Sequence, residues 1–339
     1  MTTLLPPIRW GVLGCARVFE RRMVPAFAAA NNSMLAAVAS RSLEKAEQIA
    51  ATHGIEQAYG SYQALLDDKT IDAVYIPLPN DLHREWTLRA LHAGKHVLCD
   101  KPAALSYSDA TAMASAARSA GQRLQEGFMY RHHPQHTCLQ EMVANGEIGE
   151  PIHIHGSCTY LADLSHRANI RWNPEQGGGA LLDVGVYPVN AARLYFRSEP
   201  IAAFATATLD EETGVDLHTS AVLEFSDGRT ATIVGGFDQA FSTRLEIVGS
   251  VGIVTCGRAF QVGDQGVQLS INSVDTFRTE SFPHCDQYAY EVEHFAACIR
   301  DPEKTLWPGE DGAAQARVTE ALCRSAREKR RVALFEIGI

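Results

Sequence analysis

Short, almost continuously apolar runs alternate with helix-patterned segments over about the first 128 residues of the chain. Such runs, bounded by turn signals, are typical of strands buried on both faces of a parallel sheet. We place strands at residues 8–14, 34–40, 72–80, 96–102 and 122–128, within a rhythm of six strands and five helices. The predicted helix boundaries are N-caps at Ser42, Ser61 and Asn80, a capping box at 106–109, and stops at Gly54 and Gly121. This alternation predicts a doubly wound parallel sheet with right-handed crossovers.

The pattern changes after Arg131. One helix is predicted at about 134–145, and segments of alternating apolar and polar residues follow at 152–160, 201–209, 219–225 and 229–237. Alternation of this kind builds an antiparallel or mixed sheet with one face exposed or covered by a partner. We therefore expect an α/β chain in which residues 1–128 carry the parallel sheet and residues 129–339 form an α+β domain with a mostly antiparallel sheet.

The first predicted strand ends in the turn Gly14-Cys15-Ala16-Arg17, which leads into a helix. A strand, a tight turn and a helix N-terminus together cradle the pyrophosphate of a dinucleotide. The turn lacks the second and third glycines of G-x-G-x-x-G, so the signal is weak by itself. After the second strand, Ser40-Arg41 stand where an acidic residue would bind the ribose of NAD, and arginine suits a 2′-phosphate. The alternative is a surface arginine at a strand end, but combined with the turn the pair favours NADP over NAD.

A later strand of the parallel sheet ends in Asp100-Lys101-Pro102. In an open α/β sheet ligands bind outside the carboxyl ends of the strands, so Lys101 is expected to point into the ligand crevice. Pro102 ends the strand and restricts the residue before it to an extended conformation. The alternative is a solvated lysine at a strand end, and spacing alone does not separate the two.

A second group of candidate residues lies between the alternating strands. Three glycines at 177–179 precede a helix with Asp183 and Tyr187, whose i, i+4 spacing predicts that both side chains share one helical face. The glycines permit close approach of the backbone to a ligand or a neighbouring strand. A catalytic role and a polar contact on a half-buried helix are both compatible with this pattern.

Composition narrows the classes of protein. The 339 residues are 46% hydrophobic and 21% charged, as in a globular chain long enough for two cores. A net charge of −10 argues against nonspecific binding to nucleic acid, which needs clustered Lys and Arg. No apolar run approaches the roughly 20 residues of a membrane helix, and residues 1–7 lack the features of a signal peptide, so we expect a cytoplasmic protein. Eight cysteines without a CxxC pair imply no disulfide framework.

Five histidines cluster in the sequence, at positions 132, 133, 136, 153 and 155. No HExxH or Cys/His ligand spacing accompanies them, so we expect no metal site. His153 and His155 share a strand face, where structural hydrogen bonds suffice to explain them. A Ser-His-Asp hydrolase is also unsupported, because the sequence contains no G-x-S-x-G elbow.

Five motifs in this order resemble the Gfo/Idh/MocA oxidoreductases over nearly the whole chain. They are the glycine turn, residues 37–41 (AVASR), residues 77–83 (PLPNDLH), residues 100–102 (DKP) and residues 177–187 (GGGALLDVGVY). Family members use NAD or NADP to oxidise or reduce sugars, inositols and related polyols, and a strand-ending Glu-Lys-Pro carries their catalytic lysine. Here Asp100 replaces that glutamate, whereas the lysine is retained.

The resemblance extends to one branch of the family. Tyr187, where many members have histidine, and residues 128–135 resemble glucose-fructose oxidoreductase, NADP-dependent D-xylose 1-dehydrogenase and dimeric dihydrodiol dehydrogenase. The likeness implies a Rossmann domain that binds NADP, a second domain whose large open sheet mediates homodimer or homotetramer formation, and a small sugar or polyol substrate. It implies catalytic roles for Lys101, Tyr187 and Asp183. The expected cofactor contacts are Gly14, Cys15, Ala16, Arg17, Ser40, Arg41, Pro77, Leu78, Asn80, His83, Asp100, Lys101, Arg171 and Trp172.

Our hypothesis is reversible hydride transfer between nicotinamide and a carbinol carbon of a sugar or cyclic diol. Tyr187 would exchange the hydroxyl proton, Lys101 would favour the ionised phenol, and Asp183 would bind substrate or hold the other two in register. Two alternatives stay open: an NADPH-dependent ketosugar reductase, and a nonenzymatic NADP-dependent sensor or repressor on the same scaffold. Retention of Lys101 and Tyr187 argues against the sensor, because a pure binder needs no proton donor.

Overall fold

The computed structural model describes residues 5–163, 167–273, 276–301, 303–304 and 307–338, which form two compact units. The first unit consists of the described residues of Met1–Ala104, Ser108–His132 and Asp286–Ala313. The second consists of those of Leu105–Tyr107, His133–Cys285 and Ala314–Ile339. The boundary after residue 128 stays a prediction, and the structure places Asp286–Ala313 with the first unit.

The first unit contains a six-stranded sheet with the order β3-β2-β1-β4-β5-β6, in which all neighbours are parallel. Its strands are β1 (Ile8–Leu13), β2 (Ser33–Ala39), β3 (Gln57–Tyr59), β4 (Ala73–Ile76), β5 (His96–Asp100) and β6 (Leu124–Gly127). The predicted doubly wound parallel sheet is therefore confirmed. Since parallel strands end at the same edge, the residues that follow β1, β2, β4 and β5 share one side of the sheet.

Helices separate these strands as the pattern predicts, with local differences. They are α1 (Val24–Ala29), preceded by a π-helical turn at Phe19–Met23, α2 (Leu43–His53), α3 (Tyr62–Asp67), α4 (Asn80–His92) and α5 (Tyr107–Ala120). The prediction that Asn80 caps α4 was wrong: Asn80 is its first residue, and Pro79 occupies the cap position without a side-chain bond. The strand predicted to reach residue 80 ends at Ile76, because Pro77 and Pro79 have no N–H to continue the ladder.

The second unit is built on a ten-stranded sheet with the order β15-β14-β13-β12-β7-β10-β9-β8-β16, and β11 pairs with β7. The strands are β7 (Pro151–Leu161), β8 (Ala202–Leu209), β9 (Asp216–Glu224), β10 (Thr230–Gly236), β11 (Asp238–Ser242), β12 (Leu245–Gly249), β13 (Gly252–Cys256), β14 (Val267–Ser273), β15 (Phe277–Phe282) and β16 (Val332–Ala333). Only the β7–β10 pair of this sheet is parallel among the described strands. The predicted mostly antiparallel sheet is confirmed.

The remaining helices are α6 (Pro134–Ala144), α7 (Val186–Phe196), α8 (Gln287–Arg300) and α9 (Gly309–Glu328). Pro188 at the start of α7 lies against Gly156 of β7, where an added Cβ would be 2.5 Å from the proline ring. The missing side chain at Gly156 therefore lets α7 lie directly on the sheet. Among the described residues, no helix has the length and apolar composition needed to cross a membrane.

The core of the first unit explains why α8 belongs to it. Trp10 of β1 is fully buried, and its ring centroid lies 5.4 Å from that of Phe27 and 5.5 Å from that of Phe295. Val292 and Ala296 of α8 are buried in the same cluster. Burial of a large apolar side chain stabilises a fold by roughly 1.5 to 3 kcal/mol, so this face of α8 fixes the helix to the parallel sheet.

Candidate active site

The turn after β1 can accept only a glycine at its first position. Gly14 has a φ of 109°, in the region that side chains rarely adopt, and its nitrogen donates to the Ala39 carbonyl oxygen at 2.8 Å. A Cβ added there would lie 2.8 Å from Cδ2 of Leu78. The structure thus brings Gly14 and Leu78, two predicted cofactor residues, into contact. The smooth backbone surface of this turn suits close approach of a pyrophosphate.

The rest of the predicted turn lies at the same edge of the sheet. Ala16 and Arg17 follow Cys15 before the π-helical turn, and Arg17 is exposed. Pro77 is buried directly after β4, and Asn80 opens α4 beside it.

Polar and positive groups surround the end of β2. The Ser40 hydroxyl accepts from the backbone nitrogen of Ser42 at 3.3 Å. Arg41 hydrogen-bonds the Tyr62 hydroxyl, whose pKa is raised by burial while the guanidinium opposes part of the rise. Burial also raises the pKa of the Cys15 thiol, and the Lys45 ammonium opposes that rise. The predicted residues Cys15, Ser40 and Arg41 are therefore close together.

Lys45 is a residue that the sequence reasoning missed. Its Nζ donates to the Cys15 carbonyl oxygen at 3.4 Å, so the ammonium lies over the glycine turn. Lys45 is in the first turn of α2, which Ser42 caps by accepting from the Lys45 nitrogen. A cation at a helix N-terminus opposes the helix dipole. A lysine in the first turn of α2 is therefore a sequence signal that an anion binds near this helix N-terminus, and the sequence alone contained it.

The end of β5 presents Asp100 and Lys101 at the same edge. The Asp100 carboxylate accepts from the backbone nitrogen of Lys101 at 2.8 Å and from the Tyr75 hydroxyl at 3.3 Å. The Lys101–Pro102 peptide bond is cis. Burial, reinforced by the Asp100 charge, raises the pKa of Tyr75 well above its usual value, so this phenol stays a hydrogen-bond donor.

His83 is a buried residue that hydrogen-bonds the turns after β4 and β5. The side chain is 1% exposed, and its two ring nitrogens lie 2.8 Å from the carbonyl oxygens of Leu78 and Pro102. Burial lowers the pKa of His83, while the two carbonyl groups oppose the shift. The ring ties the turn after β4 to the turn after Lys101. Its predicted contact with the cofactor stays a prediction.

Glu291 of α8 is a second residue that the sequence reasoning missed. It is 2% exposed, and among the described residues its Oε1 has no hydrogen-bond partner. Burial and the neighbouring Asp100 charge raise its pKa well above the usual range, and Arg131 opposes the shift. Glu291 stands among the buried apolar positions of α8, next to Val292 and four residues before Phe295. A glutamate among the apolar positions of a helical face was the sequence signal that could have identified Glu291 as a candidate site residue.

In the second unit, the glycines at 177–179 pack backbone against backbone. A Cβ on Gly178 would lie 2.6 Å from the Arg171 carbonyl oxygen, and Gly179 has a φ of 109° beside Asp216. The Asp216 carboxylate accepts from the Leu181 nitrogen at 2.8 Å. The predicted close approach is therefore to neighbouring protein backbone, and it fixes the start of the following helix.

The segment after these glycines is not one regular α-helix. Leu181–Gly185 forms a π-helical turn, and α7 begins at Val186. Asp183 therefore lies in the π turn and Tyr187 in α7, and the shared helical face of their side chains stays a prediction. Gly185 and Gly235 pack so closely that a Cβ on Gly235 would lie 2.7 Å from the Gly185 Cα. This contact with β10 lies beside the π turn.

Asp183 is held by two partners in its own unit. Its Oδ2 accepts from Arg171 Nε at 2.7 Å and from the Tyr160 hydroxyl at 3.3 Å. Burial, with the Asp183 charge, raises the pKa of Tyr160 above its usual value. The structure thus joins Asp183 to Arg171, a predicted cofactor residue. Trp172 is buried, with its ring centroid 5.7 Å from that of Phe237.

Tyr187 occupies the first turn of α7 and is 4% exposed. Its ring stacks on that of Phe260, with centroids 5.7 Å apart and an interplanar angle of 27°. Phe260 is itself fully buried. The phenol is therefore fixed by an aromatic neighbour that the sequence motifs did not include.

Three of the five clustered histidines have hydrogen-bond partners that suit a structural role. His153 and His155 of β7 hydrogen-bond Thr230 and Thr232 of the neighbouring strand β10, at 2.9 and 2.8 Å. His136 is fully buried between protein groups. Within the described ranges no group of three or more His, Cys, Asp or Glu side chains is arranged to hold a metal ion.

Comparison with known proteins assigns both parts of the chain to one family. Residues 8–128 match the GFO_IDH_MocA family, described as an oxidoreductase family with an NAD-binding Rossmann fold. Residues 136–255 match the GFO/IDH/MocA C-terminal domain.

Individual relatives cover nearly the whole chain. D-xylose 1-dehydrogenase (NADP(+)) 2 of Haloferax volcanii is 36% identical, over 94% of this chain and 97% of that protein. KijD10, a 3-ketoreductase from Actinomadura kijaniata in complex with NADP and TDP-benzene, has a TM-score of 0.87 at 35% identity, over 94% of this chain and 98% of that chain. Aldose-aldose oxidoreductase from Caulobacter crescentus, complexed with glycerol, has a TM-score of 0.89 at 29% identity, over 96% and 99%. With these matches and the motif order, this chain belongs to the Gfo/Idh/MocA family of oxidoreductases.

Proposed function

We propose that the chain is an NADP-preferring oxidoreductase that transfers a hydride between nicotinamide and a carbinol carbon of a sugar or cyclic diol. The observation that carries the proposal is the shared edge of the parallel sheet, which bears the Gly14 turn, the Ser40-Arg41 pair and Lys101. Neighbouring strands are about 4.8 Å apart. β1 and β5 are separated only by β4, so Lys101 follows a strand about 10 Å from the one that ends at the glycine turn.

The residues at this edge fit NADP. Gly14 presents bare backbone in a positive-φ conformation at the start of the turn, which suits close approach of the pyrophosphate. Ser40, Arg41 and Lys45 would hold the 2′-phosphate, and Lys101 would lie towards the nicotinamide end. The bound cofactor supplies the hydride chemistry. The relatives support this choice, because the xylose dehydrogenase is named as NADP-dependent and KijD10 is described with NADP.

The protein's own contribution is proton transfer and orientation. Tyr187 is the proposed proton carrier for the substrate hydroxyl, and its stacking on Phe260 limits the directions in which the phenol can point. Lys101 is proposed to donate a hydrogen bond to the reacting oxygen. Asp183, already bound to Arg171 and Tyr160, would hold the loop beside the substrate rather than move a proton.

A second candidate is reduction of a ketosugar by NADPH. KijD10 is described as a 3-ketoreductase, and proteins named dTDP-3,4-didehydro-2,6-dideoxy-alpha-D-glucose 3-reductase are 33% to 39% identical to this chain. The same residues serve this direction equally well, since a proton carrier returns to the product oxygen what it removes from an alcohol.

We also propose a cytoplasmic homo-oligomer that assembles through the open sheet face. The free thiols of all eight cysteines suit a reducing compartment. On the open face, Phe204 of β8 is 40% exposed and pairs with Val222 of β9, which in turn pairs with Thr232 of β10. A second copy of the chain would cover this row. Light scattering should give a molar mass above that of the monomer, and Phe204→Glu should lower it.

The test of the catalytic proposal is a substrate screen in both directions. NADP is offered with aldoses and cyclic diols, and NADPH with ketosugars, while the absorbance of the reduced nicotinamide is followed. We expect turnover with at least one sugar or diol and a higher kcat/KM with NADP(H) than with NAD(H). Tight NADP binding without turnover of any compound would instead support the nonenzymatic sensor.

A further inference from the structure

Two consecutive buried residues of α6 hold the short segment that precedes Phe260. The side-chain nitrogen of Gln135 donates to the carbonyl oxygen of Arg258 at 3.0 Å and to that of Ala259 at 3.3 Å. Nε2 of His136 lies 2.7 Å from the Ala259 oxygen. Gln135 and His136 are both fully buried. The backbone just before Phe260 is therefore fixed by two side chains from another element.

The second ring nitrogen of His136 determines its tautomer. Nδ1 lies 2.6 Å from the Tyr195 hydroxyl. A carbonyl oxygen only accepts, so Nε2 must carry the hydrogen that is given to Ala259, and Nδ1 then accepts from Tyr195. Burial lowers the pKa of His136 to about 3, so the ring remains neutral in this tautomer near neutral pH.

Tyr195 and Tyr187 belong to the same helix, α7, eight residues apart, which is about two turns. His136 therefore connects two parts of the second unit. On one side it binds the helix that carries Tyr187, and on the other it binds the segment that carries Phe260. Phe260 is the aromatic ring on which Tyr187 stacks.

We propose that His136 is a positioning residue for Tyr187, acting through the Tyr195 hydroxyl on one side and through Ala259 and Phe260 on the other. Gln135 reinforces the same segment. The proposal rests on the proposed role of Tyr187 as proton carrier. It also gives a physical reason for Gln135, the last residue of the 128–135 segment that resembles one branch of the family, and for His136 next to it.

The test is a double-mutant cycle between Tyr195→Phe and Tyr187→Phe. Tyr195→Phe removes only the hydroxyl that anchors His136. Because misplacement by about 1 Å can cost about 10²-fold in rate, we expect a partial loss of anchoring to lower kcat by about 10-fold with the cofactor Kd unchanged. In a Tyr187→Phe background the same change should have no further effect, since the group being positioned is absent. Gln135→Met, which removes the amide and keeps the stem, should behave in the same way.

Tyr59→Phe is the matched control. It also removes a hydroxyl bond, to Asp68 at 2.8 Å, but in the first unit, whereas Tyr187 and Tyr195 belong to the second. It should leave kcat at the wild-type level. A purely structural role for Tyr195 predicts a lower melting temperature and the same fractional loss of turnover in both backgrounds.

The outcomes separate this proposal from the proposed function. If Tyr187→Phe retains full turnover, the role of Tyr187 and the positioning role both fall. Two results would overturn only the positioning role of His136 while Tyr187→Phe is impaired. In the first, Tyr195→Phe and Gln135→Met turn over as the wild type does. In the second, each lowers turnover by the same factor in the Tyr187→Phe background as in the wild-type background.

Discussion

Removal of the positive charges at the end of β2 should change cofactor preference and leave the chemistry intact. Arg41 and Lys45 are both exposed, and Lys45 Nζ reaches the Cys15 carbonyl oxygen over the glycine turn. The 2′-phosphate is the only group by which NADP differs from NAD. Arg41→Ala should therefore weaken NADP much more than NAD, and Arg41→Ala with Lys45→Ala should weaken it further.

The exposure of both side chains determines the magnitude. Two unit charges about 4 Å apart interact by about 1 kcal/mol in a water-like dielectric, against about 4 kcal/mol near a protein surface. The water-like figure applies to exposed groups, and a phosphate ester carries a charge of about −1.5 to −2. Each cation is then worth about 1.5 to 2 kcal/mol, or roughly 10- to 30-fold in affinity. Added salt should reduce this difference because exposed charges are screened.

The assay is a fluorescence titration of NADPH and NADH against each variant, at low and at moderate salt. Lys69→Ala is the matched control, because Lys69 is an exposed lysine that precedes β4, at the opposite edge of the same sheet. It should leave both dissociation constants unchanged. A wild type that prefers NADH, or an Arg41→Ala variant that loses both cofactors equally, would refute the assignment of Arg41 to the 2′-phosphate.

Two further predictions concern buried groups. Tyr187→Phe should keep the fold and the NADPH affinity while lowering turnover by about 10²- to 10⁴-fold, the usual contribution of a positioned acid or base. Undiminished turnover in steady-state kinetics would remove Tyr187 from the mechanism. The raised pKa means that Glu291 keeps its proton in the native state. Above its usual pKa of about 4.5, unfolding releases that proton, so the contribution of Glu291 to the free energy of unfolding falls as pH rises, by at most about 1.4 kcal/mol per pH unit. Glu291→Gln should therefore raise the melting temperature at alkaline pH and change it little near pH 4; an equal effect at both would mean that Glu291 does not retain its proton.

The sheet of the first unit was predictable because each strand-turn-helix step is encoded locally. Ser42 and Ser61 do cap α2 and α3, and Gly54 and Gly121 adopt the positive φ expected of helix stops. The strand β3 was counted but not located, because it has only three residues and none of them is fully buried. Local patterns therefore predicted the alternation of strands and helices, but they did not locate β3, the shortest strand in it.

The candidate site was less predictable where contacts link distant parts of the sequence. The π turn at Leu181–Gly185 packs on Gly235, about 50 residues later, and no local pattern encodes that approach. Glu291 reaches the neighbourhood of Asp100 from α8, about 190 residues away. Motifs identified Lys101, Asp183 and Tyr187 as residue types, but the partners that fix them, such as Arg171 and Phe260, come from tertiary packing.

The central claim is that this chain transfers a hydride with Lys101 at the reacting oxygen, and Lys101→Met tests it most directly. Methionine keeps most of the aliphatic stem and removes the charge, so β5 and the turn at Pro102 should survive. NADPH affinity, measured by fluorescence, and turnover, measured by absorbance on the same preparation, are compared with those of the wild type. We predict near-normal NADPH binding, a much lower kcat and a basic limb of the rate profile displaced to higher pH. Normal binding with wild-type turnover and an unmoved pH profile would contradict the account and make Lys101 a solvated lysine at a strand end.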